Sequence, residues 1–484
     1  MGRSARWARS IRNIRFGPFP SLATATLLLL CLAWTGRAGT DPLTANEQLA
    51  RDIFQELIEI NTVTATGDTA KAAAAMAARM RAAGFTGADV QVITPAPRKG
   101  NLVVRLHGTG ARKPILLLAH LDVVDAKRED WSVDPFKFLE KDGYFYGRGT
   151  SDDKYMAAAF IANLIRYKQE GYKPNRDIIV ALETDEENGD ADGYGIKWLL
   201  KNHRDLIDAE YALNEGGGVG LKYGKSYEND VQTSEKVYLS YRLEVKNPGG
   251  HSSLPSKDNA IYRLAEGLVR LGKFDFPLKL NETTRTYFQR MSEVEAGQIA
   301  ADMKAVTLPD PDASAVARLS ATPDNNAQLR TTCVATRLEA GHADNALPQT
   351  ARALVNCRIL PGEPVDEVQK TLVKVLADEQ ISITPVKEPT SSPPSPLNRE
   401  IMEAVEKLTA EFWPGTPVIP TMATGATDGL YLRNAGIPTY GNDGFGGDIL
   451  DVRAHGKDER LLVKSFFEGL KYEYRLVKML SGEQ

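Results

Sequence analysis

Three short runs of this chain are apolar from end to end: Ile115–Ala119, Ile178–Leu182 and Tyr211–Leu213. A strand with one face in water alternates apolar and polar side chains. A run without that alternation must be covered on both faces. Between the runs lie stretches of helical spacing, Met156–Tyr167 and Gly195–Asn202. Before them, 44–60 and 69–83 also read as helices, with Leu49, Ile53, Leu57 and Ile58 on one stripe, and Val103-Val104 marks another buried strand. Strand–helix alternation with fully apolar strands predicts an α/β fold, a mainly parallel sheet with helices on both faces.

The pattern changes near residue 236. Lys236–Val245 alternates (Val237, Leu239, Tyr241, Leu243, Val245), as a half-exposed strand does. Ala260–Leu271 and Val365–Asp378 read as helices, and 328–338, 350–359 and Ile381–Val386 as strands. Residues 275–325, with Pro277, Pro309, Pro311 and Pro323, show little periodicity. This is a compact α+β unit. It ends at the Pro/Ser linker Thr390–Pro396, after which a helix at 398–412, a strand at 437–440 and a helix at 457–480 resume the first pattern. The expected organisation is an α/β domain over 41–235 and 388–484, interrupted by an inserted α+β domain over 236–387.

Residues 1–38 stand apart. Arg3, Arg6, Arg9, Arg12 and Arg15 precede the apolar run Leu22–Trp34, and Gly36-Arg37-Ala38 closes it. That is the layout of a secretory signal peptide. An exported chain, periplasmic or secreted, with no stable membrane anchor after cleavage is the expectation. Losing the six arginines of this segment takes the net charge from −4 to about −10. Such a charge offers nothing to a nucleic acid. Only Cys333 and Cys357 remain in the mature chain. They lie on neighbouring expected strands, where one disulfide and two buried thiols are both open. Two thiols cannot build a zinc cluster, so any metal chemistry rests on histidine and carboxylate.

In open α/β sheets ligands gather at the carboxyl ends of the strands. The residues found there are His120-Leu121-Asp122, then Glu183-Thr184-Asp185-Glu186-Glu187, then Asn214-Glu215-Gly216. Gly147-Arg148-Gly149-Thr150-Ser151-Asp152-Asp153-Lys154 opens a helix between the first two, and Ala454-His455-Gly456 precedes the last helix. Imidazole and carboxylate without thiol suit Zn²⁺ or a neighbouring divalent ion, often in pairs bridged by a carboxylate. A P-loop, HExxH and GxSxG are absent.

In this order, His120-Leu121-Asp122-Val123-Val124, Tyr146–Lys154, Thr184–Gly189 and Asn214-Glu215-Gly216 resemble the M20 metallopeptidases. That family includes carboxypeptidases, dipeptidases, desuccinylases and aminoacylases. The resemblance implies a zinc-exopeptidase-like α/β domain, an inserted lid and dimerisation domain, and two Zn²⁺ per chain, with Co²⁺ or Mn²⁺ as substitutes. His120 and Glu215 would hold one ion, Glu187 and His455 the other, and Asp152 would bridge them. Asp122 would orient His120, and Glu186 would be the general base toward the water between the ions. In the lid, Asn247–Ser253 implies that His251 reaches the oxyanion, in many relatives from the partner subunit, which requires a homodimer. Gly341–Pro348 and Cys357-Arg358 imply that Asn345 and Arg358 touch substrate. Gly425–Gly429 implies that Gly425 and Thr427 do so as well. Two departures, Tyr155 where relatives carry Gly and Ala426 in place of a hydroxyl residue, bear on substrate choice. The implied activity is hydrolysis of an amide beside a free carboxylate in a small peptide. The alternatives are an aminoacylase-like deacylase of N-acyl amino acids and a catalytically silent binding relative.

Overall fold

The computed structural model describes residues 42–188 and 193–482. The signal-like segment 1–38 lies outside the described residues.

At the centre of a ten-stranded sheet, Ile115–His120 runs parallel to Ile178–Glu183 on one side and to Tyr211–Asn214 on the other, and Thr439–Gly441 continues the parallel set. The apolar runs are buried on both faces because the pleat sends alternate residues to opposite sides. Ile115, Leu117 and Ala119, with Ile178, Val180 and Leu182, join the core beneath helices Ala45–Glu59, Lys154–Gln169 and Val463–Leu480. Leu116, Leu118, Ile179 and Ala181 join the opposite core beneath Ile196–Asn202. Each of the Ile, Leu and Val side chains contributes about 1.5–3 kcal/mol on burial, so both faces hold the sheet in one register.

One edge is antiparallel and the other mixed, which the apolar runs alone did not announce. Val90–Ala96 and Lys99–Leu106 form a hairpin on the Ile178–Glu183 side. Lys225–Glu235 takes Val418–Ala423 as a parallel neighbour and Val219–Lys222 as an antiparallel one.

A separate antiparallel sheet has the order Thr332–Ala340, Thr350–Ile359, Val237–Lys246, Ser382–Pro385. Leu239, Tyr241, Leu243 and Val355 pack there under helices Ala260–Leu271 and Val365–Leu376, giving this sheet its own core. Cys333 and Cys357 face each other across it and form a disulfide. The poorly periodic stretch contains four helices, Glu282–Val294, Gly297–Ala305, Ala313–Leu319 and Pro323–Leu329. Each is too short to show many turns of apolar spacing, and Pro309, Pro311 and Pro323 punctuate them. Their core closes on Ile419 of the large sheet. The last helix begins at Val463, not 457, because Arg460–Leu462 pairs as a strand with Tyr144–Tyr146.

Candidate metal centre

His120 is the last residue of its central strand and is 2% exposed. Its Nδ1–H donates to the backbone carbonyl of Asp122 at 2.9 Å. A carbonyl can only accept, so this bond keeps Nδ1 protonated and makes Nε2 the atom that can face a metal once it gives up its proton. Nε2 lies 3.0 Å from Asp152 Oδ1 and 3.8 Å from Glu215 Oε2. On the other side, His455 Nε2 lies 3.0 Å from Asp152 Oδ2 and 3.1 Å from Glu187 Oε2. Two triads result, His120–Asp152–Glu215 and Asp152–Glu187–His455, each with ligand atoms within 4.8 Å of one another. They share Asp152, one oxygen facing each histidine.

Asp122 differs from its expected part. Its carboxylate oxygen is 3.7 Å from His120 Nδ1, and the ring is held by its backbone carbonyl instead. The carboxylate accepts from the N–H groups of Glu186 and Glu187 at 3.2 and 3.1 Å and from the Thr64 hydroxyl at 3.1 Å. It anchors the turn that carries both glutamates.

Buried contacts brace the other ligand loops. Glu459 accepts from the N–H of Ser151 at 2.7 Å and pairs with Arg148, whose guanidinium reaches the carbonyl of Gly456 at 3.0 Å. Asp152 and His455, far apart in the chain, are thereby held through one buried ion pair. After Glu215, Gly216 holds φ +106°, a conformation that side-chain-bearing residues rarely adopt, and a Cβ there would also have to push the Gln232 amide aside. Tyr155, the bulky departure noted above, bonds to Asp443 and packs edge-on to Phe445, inside the fold and outside the cavity.

Electrostatics shows what the donors lack. Burial and the neighbouring Asp152, Glu187 and Asp428 push Glu215 up to about 8. Burial, Glu215, Asp428 and Glu187 hold Glu186 well above the ordinary carboxylate range. Hydrogen bonds to Asp152 and Glu187 lift His455 to about 10, against the opposing effect of burial. Burial opposes charge on His120, but Asp152 and Glu215 outweigh it and raise the ring. The two histidines hold Asp152 down despite burial. Crowded acids that repel one another and imidazoles that lend their lone pairs form a donor set that fits divalent cations.

A pH dependence follows. At pH 7 the raised groups bind protons that cations must displace. Affinity for Zn²⁺ is therefore expected to rise with pH from neutrality toward the raised values and to fall below it. Calorimetry of zinc uptake in two buffers of different ionisation enthalpy should give different heats, with at least about one proton released per chain. Equal heats and a pH-independent affinity would contradict this arrangement.

The two triads open on a cavity of about 690 Å³, within the usual range for a small-molecule site. Asp152, Glu186, Glu187, Glu215 and His455 line one part of it, and Arg358, Gly425 and Thr427 another. Thr427 is on the wall, yet its N–H and hydroxyl both go to Glu235, at 3.2 and 2.9 Å. His251 pairs with Ala346 on the small ladder Gly250–His251 with Ala346–Leu347, and the carbonyl of Asn345 beside it accepts from the N–H of Ser252 at 3.0 Å, but both His251 and Asn345 are exposed and neither lines the cavity. His107 bonds to Asp89 and Asp177 away from the site.

Several wall residues carry no local motif: Lys236, Tyr238, Lys387, Ser392 and Tyr431. Lys236 and Tyr238 begin an alternating strand, which marks them as strand residues and nothing more. Asp428, just before helix Gly429–Asn434, makes no side-chain cap bond; its carboxyl meets buried Glu183, and burial raises it to about 6.

Residues 116–479 match peptidase family M20/M25/M40. The chain is 32% identical over 357 residues to the N-fatty-acyl-amino acid synthase/hydrolase PM20D1 of Xenopus tropicalis, covering 72% of this chain and 69% of that one. It is 30% identical over 380 residues to a probable carboxypeptidase S-like 2 of Dictyostelium discoideum, covering 76% and 71%. Among solved structures, the M20 family metallo-carboxypeptidase Sso-CP2 of Sulfolobus solfataricus superposes with a TM-score of 0.65 at 19% identity, over 89% of this chain and 98% of that one. Human carnosine dipeptidase 1 does so at 0.60 and 15%, over 90% and 97%. These two likenesses are of fold. With most of its length matched and two histidine–carboxylate triads in place, this chain belongs to the M20 peptidases and is a hydrolase of that metal-dependent family.

Proposed function

We propose that this protein is an exported exopeptidase, of carboxypeptidase or dipeptidase type, that uses two zinc ions to hydrolyse an amide next to a free carboxylate. The observation that carries this reading is the sharing of Asp152 between the two triads at one wall of a cavity that also holds Arg358. His120, Asp152 and Glu215 would hold one ion, and Asp152, Glu187 and His455 the other. The bound ions would supply an acidified water and polarise the scissile carbonyl.

The chain's own groups do the rest. Glu186 takes the proton of the attacking water and delivers it to the departing nitrogen, so one carboxylate serves as base and then acid. Asp122 holds the backbone of Glu186 and Glu187 and, through its carbonyl, the tautomer of His120. Arg358 meets the substrate carboxylate in a two-pronged contact, with Gly425 and Thr427 shaping the wall beside it.

His251 and Asn345 act across a subunit boundary in this reading, since their own cavity does not include them. Support for a homodimer comes from the edge strand Thr332–Ala340, where Val334 and Leu338 are 60% and 64% exposed. Tyr262 and Val269 are likewise exposed on helix Ala260–Leu271. The segment 236–387 then serves as lid and dimerisation domain. Export is supported by the Cys333–Cys357 disulfide, which suits an oxidising compartment. Among the described residues no helix is long and apolar enough to cross a membrane.

A second reading, hydrolysis of N-acyl amino acids, is favoured by the name of the Xenopus relative. The same centre serves both, because each substrate is an acyl group joined to an amino acid. The test is a panel of dipeptides, longer peptides and N-acyl amino acids, assayed with chelator and after add-back of Zn²⁺, Co²⁺ or Mn²⁺. Activity is expected to vanish with chelator and return with about two ions per chain. Full activity in excess chelator overturns the proposal, and the ratio of peptide to N-acyl turnover decides between the readings.

A further inference from the structure

Three consecutive side chains follow Asp152, and each reaches a different element. They stand at the start of helix Lys154–Gln169, where successive residues turn by about 100° around the axis. Asp153 Oδ2 accepts from the backbone N–H of His120 at 3.4 Å. Lys154 Nζ donates to the carbonyls of Leu57 and Ile60, at 2.8 and 2.9 Å, where helix Ala45–Glu59 ends. The Tyr155 hydroxyl donates to the carboxylate of Asp443.

Asp443 in turn forms part of the bed on which the Glu215 loop lies. Strand Thr439–Gly441 runs beside Tyr211–Asn214, with Gly441 opposite Asn214. Just beyond that pair, the N–H of Asp443 donates to the carbonyl of Gly217 at 3.1 Å. Its carboxylate lies against Gly218, where a Cβ would collide with it, and Oδ1 accepts from the N–H of Phe445 at 2.9 Å. Tyr155 and Asp443 are 8% and 6% exposed, and neither lines the cavity. A buried phenol and a buried carboxyl each need a polar partner, and here each serves the other.

The helix start that carries Asp152 is therefore bonded to the strand of His120 through Asp153 and to the loop of Glu215 through Tyr155 and Asp443. Those are the other two members of the first triad. The second triad has a different brace, the Arg148–Glu459 pair between Asp152 and His455.

We propose that Tyr155 is a positioning residue for the ion held by His120, Asp152 and Glu215, acting through Asp443 to fix the Glu215 loop against Asp152. This rests on the two-zinc reading above and names the contact that tunes one of its two sites. The departure at this position then bears on the first ion rather than on the choice of substrate.

Tyr155→Phe removes the hydroxyl and keeps the edge-on contact with Phe445, at 4.7 Å between ring centroids. The test uses the full chain, stripped of metal and titrated with Zn²⁺ against a chromophoric chelator. Two backgrounds each isolate one ion: Glu187→Gln leaves the His120–Asp152–Glu215 site, and Glu215→Gln leaves the Asp152–Glu187–His455 site. In the first, Tyr155→Phe is expected to raise the Kd for Zn²⁺ about tenfold. In the second it should change Kd by less than about twofold. Asp443→Asn, which keeps an oxygen for the N–H of Phe445, should show the same selectivity, and joined to Tyr155→Phe it should add little, since both remove one bond. A general loosening of the fold would weaken the two sites alike. Equal weakening in both backgrounds, or none in the first, overturns this inference alone. Selective weakening in a protein that cleaves no amide of the panel supports it and overturns the hydrolase reading. A parent chain that binds no Zn²⁺ overturns both.

Discussion

Glu186→Gln is expected to keep both metal ions and lose turnover by about 10³–10⁴-fold. Glutamine preserves the volume of the side chain and its place on the turn anchored by Asp122. It removes a carboxylate beside the metal ligands that belongs to neither triad. The loss corresponds to about 4–5.5 kcal/mol of transition-state stabilisation. It should appear in kcat and kcat/KM alike, since proton transfer occurs only as the amide breaks. Metal content by elemental analysis and steady-state kinetics on the same sample separate this from simple loss of metal. A variant that turns over within about tenfold of the parent would refute the role of Glu186 as base.

Asp152→Asn is expected to strike both ion sites at once. Its two carboxylate oxygens face different histidines, each at 3.0 Å. An amide is neutral and presents only one acceptor atom, so it cannot complete both triads. Metal content should fall below about one ion per chain and turnover by about 10⁴-fold or more, the scale of losing an acidified water and the Lewis acid together. Glu187→Gln is the informative contrast, because Glu187 belongs to one triad only. It should weaken one ion and leave the other. If Asp152→Asn also loses a single ion, the bridging role falls.

Much of the central layer was legible in the sequence. Ile115–Ala119 and Ile178–Leu182 could be read as doubly covered strands because burial on both faces removes the polar alternation. The residues just beyond them could be read as site candidates because the carboxyl ends of parallel strands share one edge. His120, Asp152, Glu187, Glu215 and His455 do come together, although more than three hundred residues separate the first from the last. The edge strand Val90–Ala96 was less legible, since it buries only part of its length. The four helices between 282 and 329 were illegible for a related reason. Short helices on a small core leave too few apolar turns to show a period.

What the chain order alone determined is the layering and the chemical type of the centre: imidazole and carboxylate at strand ends, with too few thiols for any other metal chemistry. Local physics suffices there, because pleat, burial and ligand type are properties of short segments. Only the tertiary structure decided which atom of Asp122 holds His120, that Thr427 spends its donors on Glu235, and that His251 and Asn345 stand outside their own cavity. It alone also set Arg358 and Lys387 around Tyr238. Those outcomes depend on sheet register and on distances across separate elements, and no spacing along a single segment encodes them.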